Sequence, residues 1–444
     1  MLLNFSCDNF KAFQDGFSFN MVPTDCTELK YSILKEKAGN KSLSALSASV
    51  IYGPNAAGKT SIIQAMSCMR QIVLRGNIKD TDTDRVFDHV SSSMGIAPFA
   101  FSEEPKPVSF EAAFTFHGVL YRYCIAVYLG NFMQADADRY IAKEQLYIGG
   151  KLIFDRAKDA IVQLELKPIK TSLNVGYTVS DADKTKTAMS SNMEPDRLLL
   201  STDFSSFCSK RIASEIREWF ETEFMVVNSS DRARFLPFAK DEITTARIYP
   251  IINDIAKEAG IIGSDFAYVR DPDSDVPKLV SVLRKDAHNE SMTGIDADRI
   301  ESVGTLRLVA IMPAVISALK KGAVLVMDEM DASLHPMIVM NLISIFHNDD
   351  VNINHAQLIF NTHNPIYLNH DLLRRDEIKF VERDKDTKSS CLYALSDFKT
   401  NGQTSVRKTS DYMKNYFINR YGAIEDIDFT DIIADILKGD NNDE

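Results

Sequence analysis

A glycine-rich segment, Gly53-Pro54-Asn55-Ala56-Ala57-Gly58-Lys59-Thr60, has the residue types and spacing needed to hold phosphate groups. Its glycines let backbone N–H groups close around phosphate oxygens, and the N-terminus of a following helix adds a favourable dipole. Lys59 would neutralise the β- and γ-phosphates, and the Thr60 hydroxyl would ligate Mg²⁺, whose shell is completed by phosphate oxygens and water. With Ser61 directly after it, this segment predicts a site for ATP and Mg²⁺.

Two adjacent carboxylates, Asp328 and Glu329, directly follow an apolar stretch at 323–327. A strand there would carry Asp328 to the carboxyl edge of a sheet, beside the glycine-rich loop, where it can hold Mg²⁺ through water. Glu329 can then orient or deprotonate the water that attacks the terminal phosphate. Acidic residues after a strand also serve as plain turn or helix-capping residues. The glycine-rich loop in the same chain favours the catalytic interpretation.

Two further places carry residues that suit phosphate chemistry. His363 stands 34 residues after Glu329, at the end of a strand-like stretch, from which it can reach the γ-phosphate and fix the attacking water. Ser302 and Gly304 open a helical stretch whose first turn offers free N–H groups to an anion. A structural histidine and an ordinary N-cap serine are the alternatives at these places.

The elements around these residues predict a mostly parallel sheet. From residue 302 they follow the order helix (302–320), strand (323–327), helix (336–346) and strand (357–361). This alternation is typical of a parallel-sheet core. A short strand at 47–52 would deliver the chain to the glycine-rich loop, and a helix at 60–73 would follow it.

The remaining segments predict an antiparallel part and an insertion. The strand-like runs outside the core are 3–13, 18–21, 110–116, 120–128 and 144–148. The first two form a β-hairpin and the others an antiparallel β-subdomain. Polar sequence follows residue 166, with helix-like stretches at 209–224 and 243–259 and a strand signal at 276–284. We therefore expect a mainly helical insertion at 166–300.

The composition is that of an ordinary globular protein. The 444 residues are 45% hydrophobic and 25% charged, and the six cysteines form no C-x-x-C pair that would indicate a zinc ribbon. The start lacks the basic and apolar regions of a secretory signal, and the longest apolar run, 308–319, is too short to span a bilayer. We expect a cytoplasmic protein with no membrane partner.

The charge is unevenly distributed along the chain. The net charge is −12, and residues 425–444 hold eight acidic residues and one lysine. This balance disfavours nonspecific binding to nucleic acid. One basic and aromatic stretch, Arg232 to Lys240, could contact nucleic acid, although a solvated helix edge is the simpler interpretation.

In order along the chain, the glycine-rich loop, the segment 301–307, Asp328-Glu329, the segment Asp331-Ala332-Ser333-Leu334-His335-Pro336 and His363 resemble the motifs of an ABC-type ATPase. The chain is most similar to the bacterial ABC-type ATPases related to RecF, OLD and SMC heads. That group includes the RloA/AbiL-type proteins and the ATPase of PARIS phage-defence systems. The resemblance extends from Asn9-Phe10-Lys11 to Arg420-Tyr421-Gly422-Ala423-Ile424.

The resemblance implies an α/β fold, an ABC-type P-loop ATPase head with a mostly parallel core sheet, an antiparallel β-subdomain and a helical insertion. It also implies a sandwich dimer, in which ATP on one P-loop is capped by Ser302 and Gly304 of a second copy. Asp331 would link the two sites, and Asn9 and Lys11 would contribute to nucleotide binding. Val303 departs from the glycine that is common at that place in the family.

A further metal ligand is expected from the loop that contacts Mg²⁺ in this family. Gln145 is the candidate, with a plain strand residue as the alternative. Glu382, Asp384 and Asp386 faintly resemble the acidic cluster of a Toprim nuclease, but too few residues follow for that domain, so a charged hairpin turn is expected instead.

We therefore expect four regions: the N-terminal part of the head (1–165), the insertion (166–300), the C-terminal part of the head (301–424) and an acidic amphipathic tail (425–444). The resemblance implies a sensor in anti-phage defence that controls a separately encoded nuclease or toxin and responds to a phage-derived protein or nucleic acid. A RecF- or SMC-like ATPase of DNA maintenance is the alternative.

Overall fold

The structure is a computed structural model that describes residues 1–79, 95–132, 138–228, 246–270, 277–284, 292–398, 406, 410–425 and 427–439. Its α-helices are α1 (Lys59–Arg75), α2 (Ala182–Asn192), α3 (Lys210–Glu218), α4 (Pro250–Glu258), α5 (Val303–Lys321), α6 (Pro336–His347), α7 (Tyr412–Phe417) and α8 (Thr430–Gly439). Two π-helical segments, Leu200–Cys208 and Trp219–Glu223, flank α3.

The strands of the first half are β1 (Leu2–Asp8), β2 (Phe17–Asn20), β3 (Ile33–Ala38), β4 (Lys41–Leu46), β5 (Ala48–Tyr52), β6 (Val108–Phe116), β7 (Val119–Tyr128), β8 (Tyr140–Ile148), β9 (Lys151–Ala157) and β10 (Ile161–Leu164). Those of the second half are β11 (Phe224–Val227), β12 (Ala246–Ile248), β13 (Ser264–Val269), β14 (Lys278–Arg284), β15 (Met292–Asp296), β16 (Val324–Met327), β17 (Gln357–Asn361), β18 (Ile378–Arg383) and β19 (Ser390–Ala394).

A six-stranded sheet in the order β11-β16-β17-β5-β18-β19 forms the core. Its first five strands are parallel, and only β19 runs antiparallel. The central strands β5, β16 and β17 are buried at every residue, as expected for a parallel sheet covered on both faces. Alternating side chains supply the two faces, so that Ile51 packs with α1 while Val50 packs with α5 and α6.

A seven-stranded antiparallel sheet in the order β10-β9-β8-β7-β6-β1-β2 packs on the α1 side of the core sheet. The predicted hairpin of β1 and β2 and the predicted β-subdomain are confirmed as parts of this one sheet. The two main sheets together confirm the expected α/β architecture, a mostly parallel core sheet with an antiparallel β-subdomain.

Gln357, a buried residue at the start of β17, ties the two sheets together. Its Oε1 accepts from the Leu2 N–H at 2.6 Å, and its Nε2 donates to the Leu2 and Leu46 carbonyl oxygens at 3.0 and 2.9 Å. A buried amide that makes all three of these hydrogen bonds fixes β1 and the end of β4 relative to β17. Gln357 therefore holds β1 and the end of β4 against the core sheet.

The segment 166–300 differs from the expected helical insertion. It contains α2, α3 and α4, but also a four-stranded antiparallel sheet in the order β12-β13-β14-β15. The helix expected from residue 243 begins only at Pro250, after β12. Strand β11 joins the edge of the core sheet, parallel to β16. Strand β14 matches the strand signal at 276–284, whereas β11, β12, β13 and β15 were not expected, because short apolar runs suit helices and buried strands alike.

One described helix, α5, is long and apolar enough to cross a membrane by length and composition alone. Seven of its 19 residues are buried, and it packs against β16 within the core. The core helix of a folded domain has the same composition.

The acidic residues Glu382, Asp384 and Asp386 lie at the hairpin turn that was predicted for them. β18 and β19 form a hairpin, in which the Asp384 carboxylate accepts from Asp386 N, Thr387 N and the Thr387 hydroxyl. The basic stretch Arg232 to Lys240 lies outside the described residues.

Candidate functional site

The glycine-rich loop connects β5 to α1, as predicted. A Cβ at Gly53 would overlap the carbonyl oxygen of Val381 on β18, so only glycine fits at the start of the loop. Gly58 has φ +108°, and a Cβ there would come 3.0 Å from the Ala12 methyl group. Asn55 and Ala56 are exposed at the loop tip, between Pro54 and the buried Ala57. The loop therefore has an exposed tip on a tightly packed base.

Lys59, the first residue of α1, is buried with 5% of its surface exposed. Its Nζ donates to the Gly53 and Pro54 carbonyl oxygens, both at 2.8 Å. Burial lowers the pKa of Lys59 to about 8, and the nearby Glu329 and Asp328 carboxylates partly oppose that shift. The ammonium is thus held inside the loop, where a phosphate could replace the carbonyl oxygens.

Asp328, directly after β16, contacts both the first turn of α1 and the end of β17. Its carboxylate is buried, and its Oδ1 accepts from the Thr60 hydroxyl at 3.1 Å and from the Asn361 Nδ2 at 2.6 Å. Thr60 lies in the first turn of α1, next to the half-buried Ser61. The predicted proximity of Thr60 and Asp328 is therefore present in the structure.

Glu329 follows in a left-handed backbone conformation, with φ +48°. Its N–H donates to the Asn361 Oδ1 at 2.5 Å, and its carbonyl oxygen accepts from the Arg307 Nη2 at 3.2 Å. This backbone conformation costs a non-glycine residue about 1–3 kcal/mol of stability, so it persists only where surrounding contacts hold it. The two bonds hold the backbone of the candidate general base from both sides.

His363 leaves β17 two residues after Asn361 and is exposed. Partial burial lowers its pKa first, and the positive charge of Lys59 lowers it further, while Glu329 and Asp331 act in the opposite direction. His363 follows the same strand end as Asn361, whose amide bonds Asp328. Its neighbour Thr362 donates from its hydroxyl to the Asp331 Oδ2 at 2.7 Å.

Ser302 and Gly304 lie at the first turn of α5. The Ser302 Oγ accepts from the Thr305 N–H at 3.1 Å, which is the N-cap bond that was weighed as the simpler interpretation. Ser302 and Val303 are exposed, whereas a Cβ at Gly304 would come 2.6 Å from the Ser333 carbonyl oxygen. This turn packs on the segment after Asp331 and presents its outer face to solvent.

Asn9 and Lys11 have different surroundings. The buried Asn9 donates to the Lys106 carbonyl oxygen at 2.8 Å and accepts from Phe99 N at 3.2 Å, so its amide holds the segment that precedes β6. The Lys11 Nζ donates to the Gln64 Oε1 on α1 at 2.7 Å, one turn after Thr60. Lys11 thus lies beside α1, while both polar groups of Asn9 are used within the protein.

Gln145, the candidate metal ligand, lies in the antiparallel sheet on β8. Its Nε2 donates to the Asp155 Oδ2 on the adjacent β9 at 2.8 Å. This contact matches the alternative, a plain strand residue, and Asn361 instead makes the amide contact to Asp328. The sequence order of family motifs could not distinguish a loop glutamine from a strand glutamine.

The donor set fits Mg²⁺ that arrives with a nucleotide. Among the described residues no group of three or more His, Cys, Asp or Glu side chains could hold a metal on its own. Thr60 and Asp328 offer a hydroxyl and a carboxylate oxygen 3.1 Å apart. Magnesium is bound in nucleotide sites by few protein oxygens together with phosphates and water.

Three residues that the sequence did not single out contact the candidate site. They are Arg307, Asn361 and Thr362, which bond Glu329, Asp328 and Asp331 respectively. Asn361 and Thr362 stand immediately before His363, so their place at the carboxyl end of a strand was a usable signal. Arg307 lies one helical turn after Gly304, and its guanidinium donates to the carbonyl oxygens of Asp328 and Glu329.

The solved structures that are similar to the chain include two SMC heads. The "SMC head domain from Thermotoga maritima" shares 15% identity over 88% of this chain and 98% of that chain, with a TM-score of 0.38. The "SmcHead bound to the C-winged helix domain of ScpA" shares 14% identity over 88% of this chain and 97% of that chain, also with a TM-score of 0.38.

No curated protein sequence matches the chain. One family does match, and it is described as "AAA domain, putative AbiEii toxin, Type IV TA system". The match spans residues 48–155 and 179–369, which include the glycine-rich loop, Asp328, Glu329 and His363. Because this match covers more than half of its length, the chain belongs to this family of AAA-domain proteins.

Proposed function

We propose that the chain is a Mg²⁺-dependent ATPase whose complete site forms between two copies of it. The observation that carries this proposal is a continuous set of hydrogen bonds from Thr60 through Asp328 and Asn361 to Glu329. It joins the phosphate-binding loop to the candidate general base at one edge of the core sheet. Membership of an AAA-domain family supports nucleotide hydrolysis.

Each residue then has a role that follows from its position. The backbone N–H groups of residues 53–60 and the Lys59 ammonium bind the β- and γ-phosphates, and Thr60 and Asp328 hold Mg²⁺, which neutralises phosphate charge when bound. Glu329 accepts a proton from the attacking water. His363 orients that water or the γ-phosphate.

The second copy is inferred from the exposed first turn of α5. Ser302 and Val303 are exposed at the N-terminus of α5, where free N–H groups favour an anion. Among the described residues the Ser302 hydroxyl bonds only Thr305 of the same helix turn. A partner's γ-phosphate would supply the anion, and Asp331 beside Thr362 would lie at the same interface.

A mixing experiment tests whether the site is shared. Lys59→Ala removes the P-loop cation, and Ser302→Arg blocks the surface that would cap a partner's nucleotide. Each variant alone should be inactive. Mixed in equal amounts, they should recover about one quarter of the wild-type rate, because half of the randomly formed dimers carry one intact site out of two.

The matched control mixes Lys59→Ala with Glu329→Gln. Both of these substitutions lie on the P-loop side of a site, so every site in that mixture is defective and no activity should return. Recovery in the control mixture, or none in the Ser302→Arg mixture, would mean that the site is not shared in the proposed way. Equal ATP turnover by wild type and Lys59→Ala would refute the ATPase itself.

For the biological role we propose a cytoplasmic sensor subunit in anti-phage defence, of the RloA/AbiL type, which controls a separately encoded nuclease or toxin. The toxin context in the family description supports this role. The net charge of −12 favours it over DNA maintenance, which needs a basic track. The test is protection of a host from phage infection, which Lys59→Ala should abolish; protection by that variant would separate defence from ATP binding.

A further inference from the structure

Asn361, the last residue of β17, is buried beside the acidic pair, with 1% of its surface exposed. Strands β16 and β17 pair in parallel with Met327 opposite Phe360, which brings Asn361 level with Asp328. Its Nδ2 donates to the Asp328 Oδ1 at 2.6 Å, and its Oδ1 accepts from the Glu329 N–H at 2.5 Å. One amide therefore contacts both acidic residues.

We propose that Asn361 is a positioning residue for ATP hydrolysis: it orients the Asp328 carboxylate for Mg²⁺ and fixes the backbone from which Glu329 acts. This inference rests on the proposed ATPase site. An amide is the required group, because the carboxylate of Asp328 needs a donor and the N–H of Glu329 needs an acceptor. Aspartate would supply only the acceptor, and leucine neither.

The orientation of Asp328 follows from where its donors meet. The Thr60 hydroxyl and the Asn361 amide both bond Oδ1. Within the described part of the chain no donor reaches Oδ2, so that oxygen keeps its lone pairs for a water bound to Mg²⁺. Without Asn361 the carboxylate keeps only the Thr60 bond and rotates more easily about its bond to Cβ.

The effect on Glu329 acts through its backbone. The residue has φ +48°, and two of its backbone groups are held by Asn361 and Arg307. Loss of the Asn361 acceptor releases the N–H and allows the backbone to return to a more ordinary conformation. The side chain of the general base then moves relative to the attacking water.

The test compares Asn361→Leu and Asn361→Asp with a matched control, Asn352→Leu. Asn352 is equally buried and makes three hydrogen bonds to the backbone of Phe346 and Ala356, outside the candidate site. Two quantities are measured for each folded variant. They are kcat for ATP, and the ratio of ATP dissociation constants in EDTA and in Mg²⁺.

For Asn361→Leu we expect kcat to fall on the order of 100-fold, the loss typical of a base displaced by about 1 Å. ATP affinity in EDTA should stay within about twofold, because the P-loop is intact, while the gain in affinity from Mg²⁺ shrinks severalfold. Asn361→Asp keeps the acceptor for the Glu329 N–H and adds a negative charge beside Asp328. It should therefore have a higher kcat than Asn361→Leu, and the Mg²⁺ concentration that gives half-maximal activity should differ from that of the wild type.

Wild-type kcat and wild-type Mg²⁺ dependence in Asn361→Leu would overturn the inference, as would an equal loss of kcat in Asn352→Leu. Should Asn361→Leu not fold, Asn361→Asp decides by the same two measurements. A wild-type protein that binds but does not hydrolyse ATP would refute the proposed function. The EDTA-to-Mg²⁺ ratio would still test Asn361, and an unchanged ratio would refute its role.

Discussion

The buried ammonium of Lys59 predicts that ATP binding takes up a proton at mildly alkaline pH. Burial lowers the pKa of Lys59 to about 8, against an ordinary value of 10.5. Keeping the ammonium charged at pH 7 therefore costs the empty loop about 3 kcal/mol compared with a lysine in water. A bound triphosphate offsets this cost, because it brings negative charge to Nζ in place of two carbonyl oxygens.

The sign and size of the effect follow from that pKa. Because the folded pKa is depressed, empty protein loses the Lys59 proton as pH rises through about 8, whereas bound nucleotide keeps it. At pH 8.5 roughly three quarters of the empty sites are deprotonated, so each ATP bound should take up close to that fraction of a proton. Between pH 7 and pH 9 the ATP dissociation constant should rise about tenfold.

Isothermal titration of ATP at pH 8.5, in two buffers with different enthalpies of ionisation, measures the proton uptake directly. Lys59→Arg is the control, because a guanidinium stays protonated at this pH and should show no uptake. The γ-phosphate is already ionised at pH 8.5, so it contributes little. Proton uptake near zero in the wild type, or equal uptake in Lys59→Arg, would refute the assignment of Lys59 as a desolvated phosphate ligand.

Two further predictions concern stability and assembly. Gln357→Leu leaves three backbone groups of Leu2 and Leu46 without their hydrogen-bond partner. The free energy of unfolding, measured by urea titration, should fall by about 3–5 kcal/mol. A loss under about 1 kcal/mol would mean that Gln357 does not hold the two sheets together. Deleting residues 425–444, which include α8 with exposed Ile432 and Ile433, should leave ATPase unchanged and abolish copurification with a coexpressed effector; an intact complex would exclude the tail as its docking element.

The parts of the site that were predicted from the sequence are those set by short-range rules. The loop at 53–60 needs glycine at its base, and an apolar strand that ends in Asp328 and Glu329 must deliver them to a sheet edge. Both rules depend on neighbours in the sequence, and the structure brings Thr60 within 3.1 Å of Asp328. The parallel core was predicted from the same alternation of strands and helices.

The contacts that could not be predicted from the sequence are those that depend on which strands pair with each other. Gln145 bonds Asp155 because β8 pairs with β9, and Asn9 bonds Lys106 because β1 lies beside β6. Strand β11 reaches the core sheet from within a segment whose composition indicated helices. Side-chain chemistry alone does not set such pairings, since tertiary packing decides them.

The register of β17 connects the stability of the fold to the chemistry of the site. Gln357 and Asn361 are four residues apart on one strand, so their side chains lie on the same face. Gln357 binds Leu2 and Leu46 at one end, and Asn361 binds Asp328 and Glu329 at the other. A shift of one residue would turn both amides to the opposite face and place Thr362 or Phe360 beside Asp328. The Gln357 bonds between the two sheets therefore also help to fix Asp328 and Glu329 in position. We expect loss of those bonds to displace the two acidic residues before the chain unfolds.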